Sequence, residues 1–160
     1  MEKLFLICID DQREVLSALL KELRDLKPYF EILDCESAAE AEEALDEVEM
    51  QGGELALIIC DHVMPEKTGV QFLAETRRSN RFPKTRQILL TGLATQDDTI
   101  EAINQAQINR YLEKPWDHEN LMETIKTLVT EYVVDSGLEY KSLLPVLDQG
   151  VLYKYLHRMG

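Results

Sequence analysis

The stretch Glu54–Cys60, ELALIIC, decides the fold, and Asp61 follows it directly. Its unbroken apolar run predicts a strand that is buried on both faces, as the strands of parallel sheets are. A loop with Pro65 and Gly69 comes after the carboxylate. Such a carboxylate would lie at the carboxyl edge of the sheet, where open α/β sheets bind their ligands. We therefore expect Asp61 to belong to a binding site.

The pattern of a buried strand followed by an amphipathic helix occurs five times along the chain. This alternation predicts a five-stranded parallel sheet with helices on both faces, a doubly wound α/β fold. Ser37 opens one helix with a capping-box pattern, and Asp117 is the expected N-cap of the last regular helix. The predicted strands are residues 4–9, 30–35, 54–60, 87–90 and 108–113.

The composition narrows the class of protein. The 160 residues fit one domain with a short appendage, and no run approaches the about 18 apolar residues that span a bilayer. The net charge of −13 argues against direct docking on nucleic acid, because phosphates would repel the chain. The three cysteines lack metal-type spacing and favour buried thiols in a reducing compartment. We expect a cytoplasmic protein without membrane contact.

Polar residues follow four of the predicted strands at the point where each strand ends. Because the carboxyl ends of parallel strands share one edge, these residues should converge on one shallow cleft. Together they supply three carboxylates, one hydroxyl and one ammonium group. They are Asp10, Asp11, Asp61, Thr91 and Lys114.

This set of groups suits phosphoryl chemistry on a metal. Clustered carboxylates repel one another unless a cation lies among them, and oxygen ligands suit Mg²⁺. A carboxylate beside the metal can attack phosphorus and form an aspartyl phosphate. Lys114 can neutralise one phosphoryl oxygen, and the Thr91 hydroxyl can donate to another. Each residue taken alone also has a structural explanation, since Asp11, for example, could cap the following helix.

The motifs resemble the receiver domain of bacterial two-component response regulators (the CheY-like superfamily), and the resemblance covers residues 1 to about 130. It implies a flavodoxin-like sheet of order 2-1-3-4-5. It also implies a sensor histidine kinase or phosphotransfer protein as phosphodonor in a phosphorelay. The matching motifs are Asp10-Asp11, DHVMPEKTG at 61–69, LLTG at 89–92 and RYLEKPW at 110–116.

The resemblance also implies roles for individual residues. Asp61 would be the phospho-acceptor, and Mg²⁺ would be held by Asp10, Asp11, Asp61 and the backbone carbonyl of Val63. Thr91 and Lys114 would hold the phosphoryl group, and Tyr111 would be an aromatic switch that turns inward when Thr91 moves. The Lys114–Pro115 bond would be cis.

A few positions depart from the common receiver pattern. His62 follows the proposed acceptor, and we expect it to face solvent, although it could tune the lifetime of the phosphate. Val63 and Leu93 are apolar where many receivers carry polar groups. We hypothesise that they hinder the attacking water and lengthen the phosphorylated state. Trp116 should pack against its own helix, or else lie exposed on a partner-binding face.

Residues 131–160 form a helical extension that is apolar for a free terminus. Its charged residues sum to zero over 132–160, so the whole negative excess lies in residues 1–131. We expect a dimer contact or the start of a missing output region. A homodimer could also use the face formed by the fourth helix, fifth strand and fifth helix. His118 and His157 are expected at the surface.

The leading hypothesis is a response regulator receiver in which phosphorylation of Asp61 switches a partner or a C-terminal output. It would act on itself and on no external substrate, and would not be an enzyme in the usual sense. One alternative is a Mg²⁺-dependent phosphatase or phosphotransferase with an aspartyl-phosphate intermediate. Such enzymes commonly need an acid at the position of Val63, which counts against this alternative. Another is an interaction module that has lost phosphorylation.

Overall fold

The computed structural model describes residues 3–92 and 97–159. It contains a five-stranded sheet in which all neighbouring strands run parallel, in the order β2-β1-β3-β4-β5. This confirms the doubly wound, flavodoxin-like fold, and the strand ends lie within two residues of the predicted ones. The strands are β1 (Leu4–Ile9), β2 (Glu31–Cys35), β3 (Glu54–Asp61), β4 (Arg86–Thr91) and β5 (Arg110–Glu113).

The helices begin where the sequence places caps. The Ser37 hydroxyl accepts from the Glu40 N–H at 3.1 Å, and the Asp117 carboxylate accepts from the Asn120 N–H at 3.0 Å. Among the described residues, no helix is both long and apolar enough to cross a membrane. The helices are α1 (Arg13–Glu22), α2 (Ala38–Met50), α3 (Gly69–Arg78), α4 (Asp97–Ala106), α5 (His118–Asp135) and α6 (Gln149–Met159).

Two apolar cores lie on the two faces of the sheet. Successive residues of a strand point to opposite faces, so Leu6 and Cys8 of β1 join one core and Ile7 and Ile9 join the other. Helices α1 and α5 cover the first core, and α2, α3 and α4 cover the second. The sheet is therefore covered on both faces, and its strand ends remain open to present polar groups.

The three thiols are buried, and no disulfide joins them. Burial raises the pKa of Cys35 to about 12, with nearby carboxylates adding to the effect. Burial also raises the pKa of Cys8 and Cys60. All three are therefore protonated and act as small apolar side chains, as the sequence predicts.

The C-terminal extension packs partly on the domain itself. A 3₁₀ helix at Lys141–Val146 leads into α6, and the Asp148 N–H donates to the Thr130 hydroxyl of α5 at 2.8 Å. Beyond the end of α5, four apolar residues of the extension are buried in the core beneath α1 and α5: Leu143, Val146, Leu147 and Leu152. Three others stay exposed: Leu144, Tyr153 and Leu156. The dimer contact and the missing output region stay predictions.

Candidate functional site

The strand ends bring the predicted polar residues to one edge of the sheet. Asp10 follows β1 and donates its N–H to the Cys35 carbonyl at 3.1 Å, while Asp61 and Thr91 close β3 and β4. Lys114 follows β5, and its N–H donates to the Thr91 carbonyl at 3.0 Å. These backbone bonds continue the sheet by one residue, so Asp10 and Lys114 are held by the hydrogen bonding of the sheet itself.

Lys114 joins two of the carboxylates directly. Its Nζ lies 2.6 Å from Asp61 Oδ1 and 3.0 Å from Asp10 Oδ2. The three residues are more than 50 positions apart in sequence. The sheet order makes Asp10 and Asp61 neighbours, because β1 and β3 are adjacent, whereas the long side chain of Lys114 reaches both acids from the end of β5, on the far side of β4. The structure therefore brings the Asp10 and Asp61 carboxylates and the Lys114 ammonium group together, as the sequence predicts.

Asp11 completes a cluster of three acids. Carboxylate oxygens of Asp10, Asp11 and Asp61 lie within 4.8 Å of one another. Asp10 and Asp61 are buried, whereas Asp11 is exposed. Helix α1 takes Gln12 as its N-cap, so the structural explanation of Asp11 as a helix cap does not hold. Asp11 thus contributes its charge to the cluster.

The electrostatics of the cluster favour a cation. Burial raises the pKa of Asp61, the Lys114 hydrogen bond opposes this, and the Asp10 charge adds to the rise. Burial lowers the pKa of Lys114, but its bonds to Asp61 and Asp10 outweigh burial and the net shift is upward. One ammonium faces three carboxylates. A divalent cation with oxygen ligands would offset the remaining charge, and Mg²⁺ fits that donor set.

The loop after β3 is held tightly against the strand end. The His62 N–H donates to the Leu90 carbonyl at 3.1 Å, and the Gly69 N–H donates to the His62 carbonyl at 2.8 Å. The expectation that His62 faces solvent is wrong, because its ring is half-buried and burial lowers its pKa. Val63 is 62 % exposed. Leu93, its proposed companion, lies outside the described residues.

Thr91 and Tyr111, the two residues of the switch hypothesis, lie on the neighbouring strands β4 and β5. Thr91 is buried at the end of β4, whereas Tyr111 is exposed on the edge strand β5. The switch role of this pair stays a prediction. The Lys114–Pro115 bond is cis, which confirms that expectation.

The sequence did not predict one contact that lies close to Lys114. The half-buried Trp116 packs on the core beneath α1 and α5, and its indole N–H donates to the Glu22 carboxylate. The other oxygen of Glu22 lies 2.8 Å from Nδ1 of His118, which is exposed as expected. Glu22 lies 94 positions from Trp116, so no local pattern reveals the pair.

Comparisons with known proteins agree with this geometry. A family model described as the response regulator receiver domain matches residues 6–126. The hydrogenase transcriptional regulatory protein HoxA of Bradyrhizobium diazoefficiens is 33 % identical over 135 residues, which cover 84 % of this chain and 26 % of HoxA. The chain thus spans about a quarter of that relative's length.

Shorter proteins match over nearly their whole length. The chemotaxis protein CheY1 of Helicobacter pylori is 27 % identical over 78 % of this chain and 95 % of CheY1. The crystal structure of the signal receiver domain of an HD domain-containing protein from Pseudomonas fluorescens Pf-5 superposes with a TM-score of 0.69 at 26 % identity. It covers 82 % of this chain and 98 % of that one.

Proposed function

Since the chain belongs to the response regulator receiver domain family, we propose that it is a switch controlled by phosphorylation of Asp61. The observation that carries the proposal is the Lys114 ammonium, which contacts both Asp61 and Asp10. A buried carboxylate that is held by one cation and flanked by two further acids suits a nucleophile for phosphorus.

In the proposed reaction, an Asp61 oxygen attacks the phosphorus of the donor. A bond forms between that oxygen and phosphorus as the bond from phosphorus to the donor's leaving group breaks. Lys114 stabilises charge on the phosphoryl oxygens, and the Thr91 hydroxyl donates to one of them. Asp10, Asp11, Asp61 and the Val63 carbonyl would hold Mg²⁺. When bound, Mg²⁺ neutralises charge between the carboxylates and the phosphoryl group.

The partners follow from this reaction. A sensor histidine kinase or a phosphotransfer protein would supply the phosphoryl group, and the output would respond to the position of Tyr111. Family members are not enzymes in the classical sense, and Val63 stands where an aspartyl-phosphate phosphatase would need a second acid. The buried reduced thiols support a cytoplasmic location.

Acetyl phosphate with Mg²⁺ tests this function against its alternatives, with intact mass and phosphate release as readouts. One phosphoryl group per chain on Asp61, without sustained phosphate release, supports the switch. Sustained release would favour a phosphatase, and no Mg²⁺-dependent modification would favour an inert interaction module. Beryllofluoride provides a second, non-transferring probe of the same site.

Val63→Asn is expected to shorten the lifetime of the phosphorylated state. Val63 is an exposed apolar side chain two residues from Asp61, and an amide there could orient the attacking water. We expect dephosphorylation about fivefold faster, which corresponds to about 1 kcal/mol of barrier. The measurement is loss of phosphoprotein after removal of acetyl phosphate. Met50→Asn, at an apolar residue with 88 % exposure on α2, is the control. Equal lifetimes for Val63→Asn and wild type would contradict the role of Val63.

We also propose that the exposed side chains of the extension form a contact between two copies. Residues 132–160 carry no net charge, whereas residues 1–131 are strongly negative. In a dimer, residues 1–131 of the two copies would repel each other, but the two extensions would not. Leu156→Glu should convert a dimer into a monomer, because it places a charge in an apolar contact. Light scattering after size-exclusion chromatography measures this. Met50→Glu should stay dimeric, and a monomeric wild type would refute the contact.

A further inference from the structure

We infer that Glu22 is a positioning residue for Lys114 and acts through Trp116. The inference rests on the proposed function, because it concerns the rate at which Asp61 is phosphorylated. Glu22 ends α1, and its carboxylate accepts the indole N–H of Trp116, two residues beyond Lys114.

Two links join the segment that carries the acids to the segment that carries Lys114. Three residues before α1 begins, Asp10 contacts the Lys114 ammonium at 3.0 Å. At the end of α1, Glu22 binds Trp116 and lies 2.8 Å from His118 Nδ1. Helix α1 connects the two links as one rigid element whose inner face is buried. The turn after β5 is thereby fixed against the same helix that follows Asp10.

Without the second link, the turn would be held mainly from its own two ends. The Lys114 N–H bond to Thr91 fixes its start, and the Asp117 cap fixes the beginning of α5. The Trp116 side chain lies between these points and packs on the core next to α1. Loss of the Glu22 bond would let this ring and the adjoining backbone shift. A small displacement of Lys114 matters because phosphoryl transfer depends mainly on positioning.

The Glu22 carboxylate is partly shielded from water and has two hydrogen-bonding partners, Trp116 and His118. Its side chain is 25 % exposed, so the carboxylate is partly withdrawn from water, while His118 is more open at 57 %. The indole group offers a single donor, and a charged acceptor strengthens that bond. Trp116 is the single tryptophan of the chain, so a change at this contact also alters an unambiguous fluorescence signal.

The test compares phosphorylation rates of the full chain with acetyl phosphate and Mg²⁺. Glu22→Leu and Trp116→Phe should each slow the reaction about tenfold, and the double variant should be no slower than either. Glu22→Gln keeps an acceptor oxygen for the indole and should react within about twofold of wild type. Glu123→Leu, which removes an exposed carboxylate from α5, is the matched control.

A second comparison separates positioning from general destabilisation. In a Lys114→Ala background, Glu22→Leu should have no further effect, because the group that it positions is gone. Additive slowing in that background would overturn the inference, as would wild-type rates for both single variants. If Glu22→Leu does not fold, Trp116→Phe gives the same comparison, because it removes the indole N–H and keeps an aromatic ring. Absence of modification in the wild type would instead refute the proposed function.

Discussion

Asp61→Asn is expected to abolish Mg²⁺-dependent modification by acetyl phosphate, with the rate falling more than about a thousandfold. The amide cannot attack phosphorus, and it removes one of the three negative charges of the cluster. It should also weaken the Mg²⁺-dependent response to beryllofluoride, since an uncharged amide is a poorer ligand for a hard cation. Intact mass spectrometry of the treated chain measures the loss.

The variant should remain folded, which makes the loss interpretable. Burial raises the pKa of Asp61 above its unfolded value, so the folded state favours the proton. The stabilising contribution of this carboxyl is therefore present at low pH and is lost as pH rises through the folded value. At neutral pH without Mg²⁺, the neutral Asn should melt no lower than wild type.

Asp25→Asn is the matched control, because it makes the same change at an exposed position away from the strand ends. It should be modified at the wild-type rate. Retention of one phosphoryl group per chain in Asp61→Asn would show that another residue is the acceptor. In that case the assignment of Asp61 would be wrong, although the receiver fold would stand.

The sequence predicts the sheet and the site because both depend on local patterns. Continuous apolar runs such as Leu4–Ile9 identify buried strands without knowledge of their neighbours, and the α/β alternation then sets the direction of each strand. Polar residues at the strand ends must meet once the strands are parallel. Asp61 and Lys114 could therefore be placed together before the structure was known, although the order of the strands came from a family resemblance.

Contacts between distant surfaces could not be predicted in this way. The helical spacing of apolar residues in the first helix continues to Leu26, yet α1 ends at Glu22 and a 3₁₀ turn carries Leu26 into the core. Periodicity records which residues are buried and says little about hydrogen bonding near a helix end. The Glu22–Trp116 bond joins residues that are far apart in the sequence, so no regular spacing of residues predicts it. The same holds for the burial of His62, which depends on the conformation of the loop after β3.

Gly69 is the residue where backbone packing constrains the site most tightly. A Cβ at this position would lie 2.1 Å from the Asp61 carbonyl oxygen and 2.9 Å from the His62 Cα. Both atoms belong to the backbone, so no side-chain rotation can relieve the overlap. The Gly69 N–H also donates to the His62 carbonyl, which draws the two segments together. A larger residue must therefore push α3 away from the end of β3.

Gly69→Ala is accordingly expected to lower the free energy of unfolding by about 3 kcal/mol, which corresponds to a fall in Tm of about 6 to 12 °C. Because the displaced backbone belongs to Asp61, phosphorylation by acetyl phosphate should slow about tenfold in the fraction that is still folded. Thermal unfolding and intact mass measure the two effects. Gly92→Ala is the control for stability, since no atom of the residues that the structure describes lies within 4 Å of its added Cβ. Equal melting temperatures for the two variants would show that the loop after β3 yields freely, and that the position of Asp61 does not depend on this contact.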